Sequence, residues 1–494
     1  MAIPKVMGIE TEYGIIAKGG EEQNPIFASS LLINSFVSPR LKRVRWDYDE
    51  ETPFADARGF ERGGVDLLED EGGLVSVILE NGARYYVDHA HPEYSTPECS
   101  NARDLVIHDK AGERVLAASL RTASQSLPEG QRILVYKNNS DGKGNSYGCH
   151  ENYLMSRETP FPNIVSILMP FLVTRQVFTG AGKLGIEGGG MEKDAKYQIS
   201  QRADFFEVEV GLETTFKRPL INTRDEPHAD PEKYRRLHVI LGDANMSEVA
   251  TFLKVGTTAL VLSMIEDGFM TTDLTLTQPV AALRTISRDP SCRASVSLAD
   301  GRTVTAVDVQ WEYLTWVKKY LEHQPIDEVT LEVVNRWEQT LTALEVDPMS
   351  LDRQLDWVAK YRTLDAYRER HGLDWTSSKL AMVDLQYHDI RTAQSIYYKM
   401  VETGQMETLV SEEDIVRAVS EPPHDTRAYF RGKVLRRFSS DVTAASWDSI
   451  IFDTGSDSLQ KVPMLEPLKG TKDVTEALIT SSRTSEELIQ NLGA

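Results

Sequence analysis

The chain has 494 residues, 75 acidic against 54 basic side chains for a formal charge of -21, and 41% hydrophobic residues. That length predicts about two to four folding units, and the composition excludes wholesale disorder, collagen-like repeats and a disulfide scaffold. The acidic excess argues against nucleic-acid binding, and three widely spaced cysteines, Cys99, Cys149 and Cys292, fit a reducing cytoplasm better than an oxidised framework.

In chain order, Val6 to Ile16 is β-branched and aromatic with a period of two, so it predicts one strand with Glu10 and Glu12 on the same face. The start also carries no apolar leader, and export by a signal peptide is not expected. Residues from about 39 to 70 mix dense charge with Pro and Gly and predict a long mobile insertion loop. A strand over Leu74–Leu79, the turn pair Asn81-Gly82 and a strand over Ala83–Asp88 predict a hairpin with Arg84, Tyr86 and Asp88 on one face. Asn101 followed by Asp104 reads as a helix start, and further strands are expected at Arg132–Tyr136, around Gln198–Ser200 and at Phe205–Val210. Helical patterns dominate from Met246 to about Ala418. Within them Val249–Ile265 is too broken by Lys254, Gly256 and hydroxyl residues for a membrane span and predicts a buried helix. Strands followed by a helix-rich half predict an α+β fold with an antiparallel sheet. The breaker Pro422-Pro423 predicts a boundary between a unit over 1–425 and a small C-terminal domain over 426–494 with a terminal helix from Ser485.

Glu10 and Glu12 at i and i+2, with Glu93 beyond the hairpin, supply the oxygen ligands that Mg²⁺ prefers, and His150 and His238 could add imidazole. A solvated sheet face with no metal is the competing reading of that spacing. Arg84 to Glu93 packs a cation, phenols, carboxylates and two imidazoles into ten positions. Thr179–Gly185 is not a phosphate loop, because Val177 and Leu184 stand where Gly and Ser or Thr are needed. Adjacent Cys149 and His150 point apart, and no G-x-S-x-G is present, so thiol and serine hydrolase readings fail. Lys217, Arg218, Arg224, Lys233, Arg235 and Arg236 concentrate cations around His238 and would suit an anionic ligand or a charged surface.

Four stretches, Gly8–Gly14, Tyr86–Glu98, Tyr147–Tyr153 and Ile221–Asp230, together resemble the Pup ligase and depupylase family, relatives of glutamine synthetase and γ-glutamyl-cysteine ligase. The resemblance runs to Trp447. Trp46-Asp47-Tyr48, Glu51, Pro53 and Arg58-Gly59-Phe60 in the loop, and Asp88-His89-Ala90-His91-Pro92-Glu93, resemble the depupylase branch. It implies a glutamine-synthetase-like curved antiparallel sheet backed by helices. It also implies Glu10, Tyr86 and Glu93 as Mg²⁺ ligands, with Glu12, His150 and His238 as further groups around the metal. Arg84, Thr96, Arg224 and, from the C-terminal domain, Trp447 are assigned to ATP, and Asp88 becomes the catalytic carboxylate. The implied reaction is cleavage of the isopeptide bond between Pup, the prokaryotic ubiquitin-like protein, and substrate lysines, or deamidation of a terminal Gln of Pup, with ATP bound but not stoichiometrically consumed. Pup and pupylated proteins are the implied partners, with no nucleic acid and no membrane. An ATP-consuming Pup–protein ligase is the alternative.

Overall fold

The computed structural model describes residues 2–19, 24–36, 44–49, 51–60, 75–187, 196–456 and 458–492. Its centre is a six-stranded antiparallel sheet. In spatial order the strands are Tyr234–Val239, Cys149–Ser156, Met7–Glu12, His91–Ser95, Arg84–Asp88 and Ser76–Ile78. One face carries Ile9, Cys149, Tyr153, Leu237 and Val239, all buried in the largest apolar cluster with helices such as Glu248–Glu266. This helix is apolar and 19 residues long, and 89% of its most apolar window is buried inside the fold. Its apolar surface is spent on the core, as the sequence predicts. The fold class is therefore α+β with the expected antiparallel sheet.

Two strand expectations need correction. Val6 to Ile16 is not one strand: Met7–Glu12 lies in the central sheet, while Gly14–Lys18 pairs with Arg132–Tyr136 in a separate one. Gly14 sits at the break, where an added Cβ would lie 2.4 Å from the Tyr147 hydroxyl, so only glycine lets the chain pass. His91–Ser95, placed by the sequence beyond the hairpin with no strand expected there, is an interior strand. Pro92 masks it, because proline normally cannot feed a ladder. Here the pairing with Met7–Glu12 stops at Glu93 opposite Glu12, so the N–H that Pro92 lacks is not called on from that side.

Other expectations correspond closely. Asn101 accepts the backbone N–H of Asp104 and caps helix Ala102–Ser126, and the last helix begins at Ser485. Gly180 and Gly182 serve close packing, since added Cβ atoms would lie 2.3 Å from the Ile199 carbonyl oxygen and 2.0 Å from the Tyr197 hydroxyl. This is a structural use of glycine with no phosphate role.

The segment expected to be a mobile loop divides. Residues 39–43 and 61–70 lie outside the described residues. Between them Arg45–Trp46 forms a parallel edge strand on Val442–Ala445, completing a four-stranded sheet with Ser449–Phe452 and Gln460–Pro463. Val44 and Trp46 are buried there, Ala57 donates to the Thr223 carbonyl at 2.8 Å, and Thr52 donates to Glu226 at 2.6 Å. This stretch is built into the fold. Its charge density hid two buried apolar residues, Val44 and Trp46.

Candidate active site

Register assembles the site. In the central sheet Glu12 faces Glu93, Glu93 faces Tyr86, Asp88 faces His91, and Glu10 lies between Ser95 and His150. With side chains alternating, all of these stand on the face turned away from the apolar core. Two sets of ligand atoms result, each within 4.8 Å of one another: Glu10 with His150 and His238, and Glu12 with Asp88 and Glu93. The face that holds Glu10 and His150 excludes Cys149, the residue before His150, which points inward and lies 3.6 Å from the Lys254 ammonium.

In the first set, Asn152 is the organiser. Its amide nitrogen donates to Glu10 at 2.7 Å, while its carbonyl oxygen accepts from Arg236 at 2.6 Å and meets His238 Nδ1 at 2.9 Å. That orientation assigns the proton to His238 Nδ1 and leaves Nε2 as the free lone pair, the usual outer-contact control of a ligating imidazole. Burial raises the Glu10 pKa, but the His150 hydrogen bond and the charges beside it, the Arg236 guanidinium among them, outweigh it and hold the carboxyl well below the ordinary range. Burial drives His238 well down, so it stands neutral.

The second set is different in kind. Glu12 accepts from the Gly148 N–H at 2.7 Å and lies 3.2 Å from His91 Nδ1; the Tyr86 hydroxyl donates to Glu93 at 2.6 Å. Among the described residues no lysine or arginine forms an ion pair with Glu12, Asp88 or Glu93. Glu93 is 3% exposed; burial first, then Asp88, Glu12 and Glu10, push its pKa well above normal. At Asp88 burial acts upward, but His89 and His150 outweigh it and hold the group low. The Asp88 side chain remains 33% exposed. Environment thus separates two carboxyls of one cluster into an ionised, reachable group and a buried one pushed towards its neutral form.

These donors fit a divalent cation. Glu12, Asp88 and Glu93 offer only hard oxygens, the preference of Mg²⁺, and their mutual repulsion is what such an ion would relieve. Tyr86, which the family resemblance counts among the ligands, donates its hydroxyl to Glu93, and burial first, then Glu93 and Glu10, push its phenol pKa well up.

Beside the first set is a pocket lined by Gly8, Glu10, Thr96, Asn152, Arg236 and Trp447. Trp447 stands in the turn between Val442–Ala445 and Ser449–Phe452, edge-on to Trp46 at 5.3 Å and beneath the Arg431 guanidinium at 5.0 Å. Thr96 Oγ1 accepts the Ile9 N–H at 3.0 Å. Two of the expected nucleotide residues do not line this pocket. Arg84 lies between the rings of Trp46 and Tyr86, 3.9 Å from each, and Arg224 is half-buried with its N–H on Asn222. Glu98 accepts from Arg427 at 2.8 Å and from Arg431, and Arg431 also donates to the Gly82 carbonyl at 2.9 Å. That clamp holds helix Ala428–Arg437, and with it Trp447, against the central sheet. Sequence reasoning gave no part to Asn152, Glu98 or Arg431 and left His91 without a role of its own inside the Arg84–Glu93 run. Of the first three only Asn152 carried a local signal, alternating with His150 on one strand.

A model of the Pup-ligase protein family matches residues 5–451. The depupylase of Acidothermus cellulolyticus is 56% identical over 99% of each chain, and the Pup deamidase/depupylase of Mycolicibacterium smegmatis 51% identical over 99% of each. Among solved structures, the ligase PafA in complex with Pup superimposes with a TM-score of 0.80 at 33% identity, covering 99% of this chain and 94% of that one. PafA in complex with ADP gives 0.75 at 36%, covering 85% and 95%. With the sheet, its two ligand sets and the full-length likeness in hand, the chain belongs to the Pup-ligase family.

Proposed function

We propose that this protein is a depupylase and Pup deamidase. It hydrolyses the γ-glutamyl isopeptide bond between the C-terminal Glu of Pup and a substrate lysine, and the side-chain amide of a C-terminal Gln, with ATP and Mg²⁺ bound and not consumed stoichiometrically. What carries the reading is the reachable carboxylate Asp88 in an oxygen-donor set, in a chain whose full-length relatives at 51–56% identity bear depupylase names. The nucleotide assignment draws on the ADP complex of PafA. Relatives named Pup–protein ligase match at 42–43% identity over 83–88% of the chain, lower on both counts, and the hydrolase reading leads.

Amide hydrolysis needs an activated nucleophile and a stabilised oxyanion. Mg²⁺ held by Glu12, Glu93 and the Glu10 set would supply Lewis acidity and positive field there. Asp88, ionised and partly exposed, attacks the carbonyl carbon or takes the proton of the attacking water. Glu93, buried under the Tyr86 hydroxyl, does not compete for that role. Trp447 offers the adenine a flat apolar wall. We read 1–425 as the catalytic unit and 426–494 as the unit that brings Trp447 to it. The buried thiols Cys99, Cys149 and Cys292 support a cytoplasmic setting.

The test is to incubate a Pup–protein conjugate with the enzyme, Mg²⁺ and ATP, and to measure free Pup and ADP. Pup released in large excess over ADP supports the hydrolase. One ADP per bond, or no release, overturns it.

A further inference from the structure

The turn that joins strand Arg84–Asp88 to strand His91–Ser95 has only two residues, His89 and Ala90. His89 adopts φ +50°, a left-handed conformation that Gly enters freely, that Asn, Asp and His adopt more readily than other residues, and that costs a non-glycine residue of order 1 kcal/mol. Its ring recovers little of this by burial, since the side chain is 66% exposed. The ring does reach one particular atom: Nδ1 lies 3.1 Å from Oδ2 of Asp88. Across the same turn, His91 Nδ1 stands 3.2 Å from Glu12. Each histidine of the Asp88–His91 turn therefore lies beside one carboxylate of the same oxygen-donor set.

A one-third exposed aspartate at a hairpin end would otherwise rotate freely, because the terminal torsion of Asp is broad. We propose that His89 is a positioning residue for amide cleavage: its Nδ1–H donates to Oδ2 of Asp88, fixes the carboxylate plane, and leaves Oδ1 as the oxygen presented to the scissile amide or its water. The Nδ1–H tautomer and the imidazolium both make this bond, so the role does not depend on the ring's charge. The strained backbone is the conformation that aims the ring back at the preceding side chain. The inference rests on Asp88 being the catalytic carboxylate.

Two substitutions separate the donor from the fold. His89→Gly relieves the positive φ and deletes the donor; His89→Asn tolerates the same φ and places an amide N–H where Nδ1 was, both being attached to Cγ. We expect His89→Gly to melt no lower than wild type and to bind nucleotide as tightly. Its kcat for conjugate cleavage falls roughly 10- to 100-fold at unchanged KM, the scale of one lost hydrogen bond to a charged group. His89→Asn should regain most of that loss. Wild-type kcat in His89→Gly, or His89→Asn as slow as His89→Gly, overturns the proposal. Asp88→Asn is run beside them: if it still turns over, the reading of Asp88 fails and this inference with it. If Asp88→Asn is inactive while His89→Gly is normal, only the positioning role fails.

Discussion

Glu93 and Glu98 lie five positions apart on one short stretch, and their surroundings treat them oppositely. Burial raises both. Around Glu93 the neighbours are Asp88, Glu12 and Glu10, which push it further up; around Glu98 they are Arg431 and Arg427, which bring it down to about 2. Behind the sheet the pattern of Glu98 repeats, with Glu151 on Arg175 at 2.5 Å and Glu113 between Lys110 and Lys137, each at 2.9 Å. Carboxylates that serve the fold carry their cations with them. On the site face Glu12, Asp88 and Glu93 pair with no lysine or arginine among the described residues, while Glu10 does meet Arg236 at 3.6 Å, and a cation from outside would relieve the repulsion within that set.

The largest expected effect is at Asp88. Asp88→Asn should fold and bind nucleotide but lose roughly 10²- to 10⁴-fold in depupylation rate, read in the conjugate-cleavage assay; near-normal turnover would remove Asp88 from the chemistry. Next come the two glutamates themselves. Glu98→Ala strands Arg427 and Arg431, which are buried, and should cost about 3–5 kcal/mol by urea unfolding. Glu93→Gln replaces an acid already pushed towards its neutral form by a neutral amide whose carbonyl oxygen still accepts from Tyr86, and should cost no stability although activity falls. Equal destabilisation of both would erase the contrast.

The pH dependence sharpens it further. Glu98 has its pKa depressed in the fold, to about 2 from the ordinary 4.5, so its stabilisation is fully present above 4.5 and is lost as pH falls towards 2. Glu98→Gln should flatten the stability profile in that window, and an unchanged slope would mean that the Arg427–Arg431 clamp is not formed. The smallest effect is Trp447→Ala, expected to weaken nucleotide binding roughly tenfold through the lost aromatic surface, measured by titration, with conjugate affinity unchanged.

Much of this was legible in the sequence because it is local. A period of two put Glu10 with Glu12 and Arg84 with Tyr86 and Asp88, and the Asn101 cap announced its helix. What needs pairing across strands was not legible. No spacing places Glu93 opposite Glu12, and Pro92 argued against a strand at all. The guanidinium of Arg84 lies between Trp46 and Tyr86, surroundings that no spacing announces, because nothing in the charged run around Trp46 betrays an edge strand that pairs with residues some four hundred positions later. Asn152 and Glu98 are organised by partners remote in sequence, Arg236 and Arg431, and such contacts follow from topology alone.

The central claim, that the site-face carboxylates are a cation site, is tested most directly by calorimetric titration of Mg²⁺ into the wild-type protein and into Glu12→Gln/Glu93→Gln, each saturated with nucleotide. The account predicts a measurable Mg²⁺ isotherm in the wild type that weakens at least about tenfold in the double variant, since two of the three carboxyl donors become amides that cannot ionise onto the metal. Superimposable isotherms would contradict it.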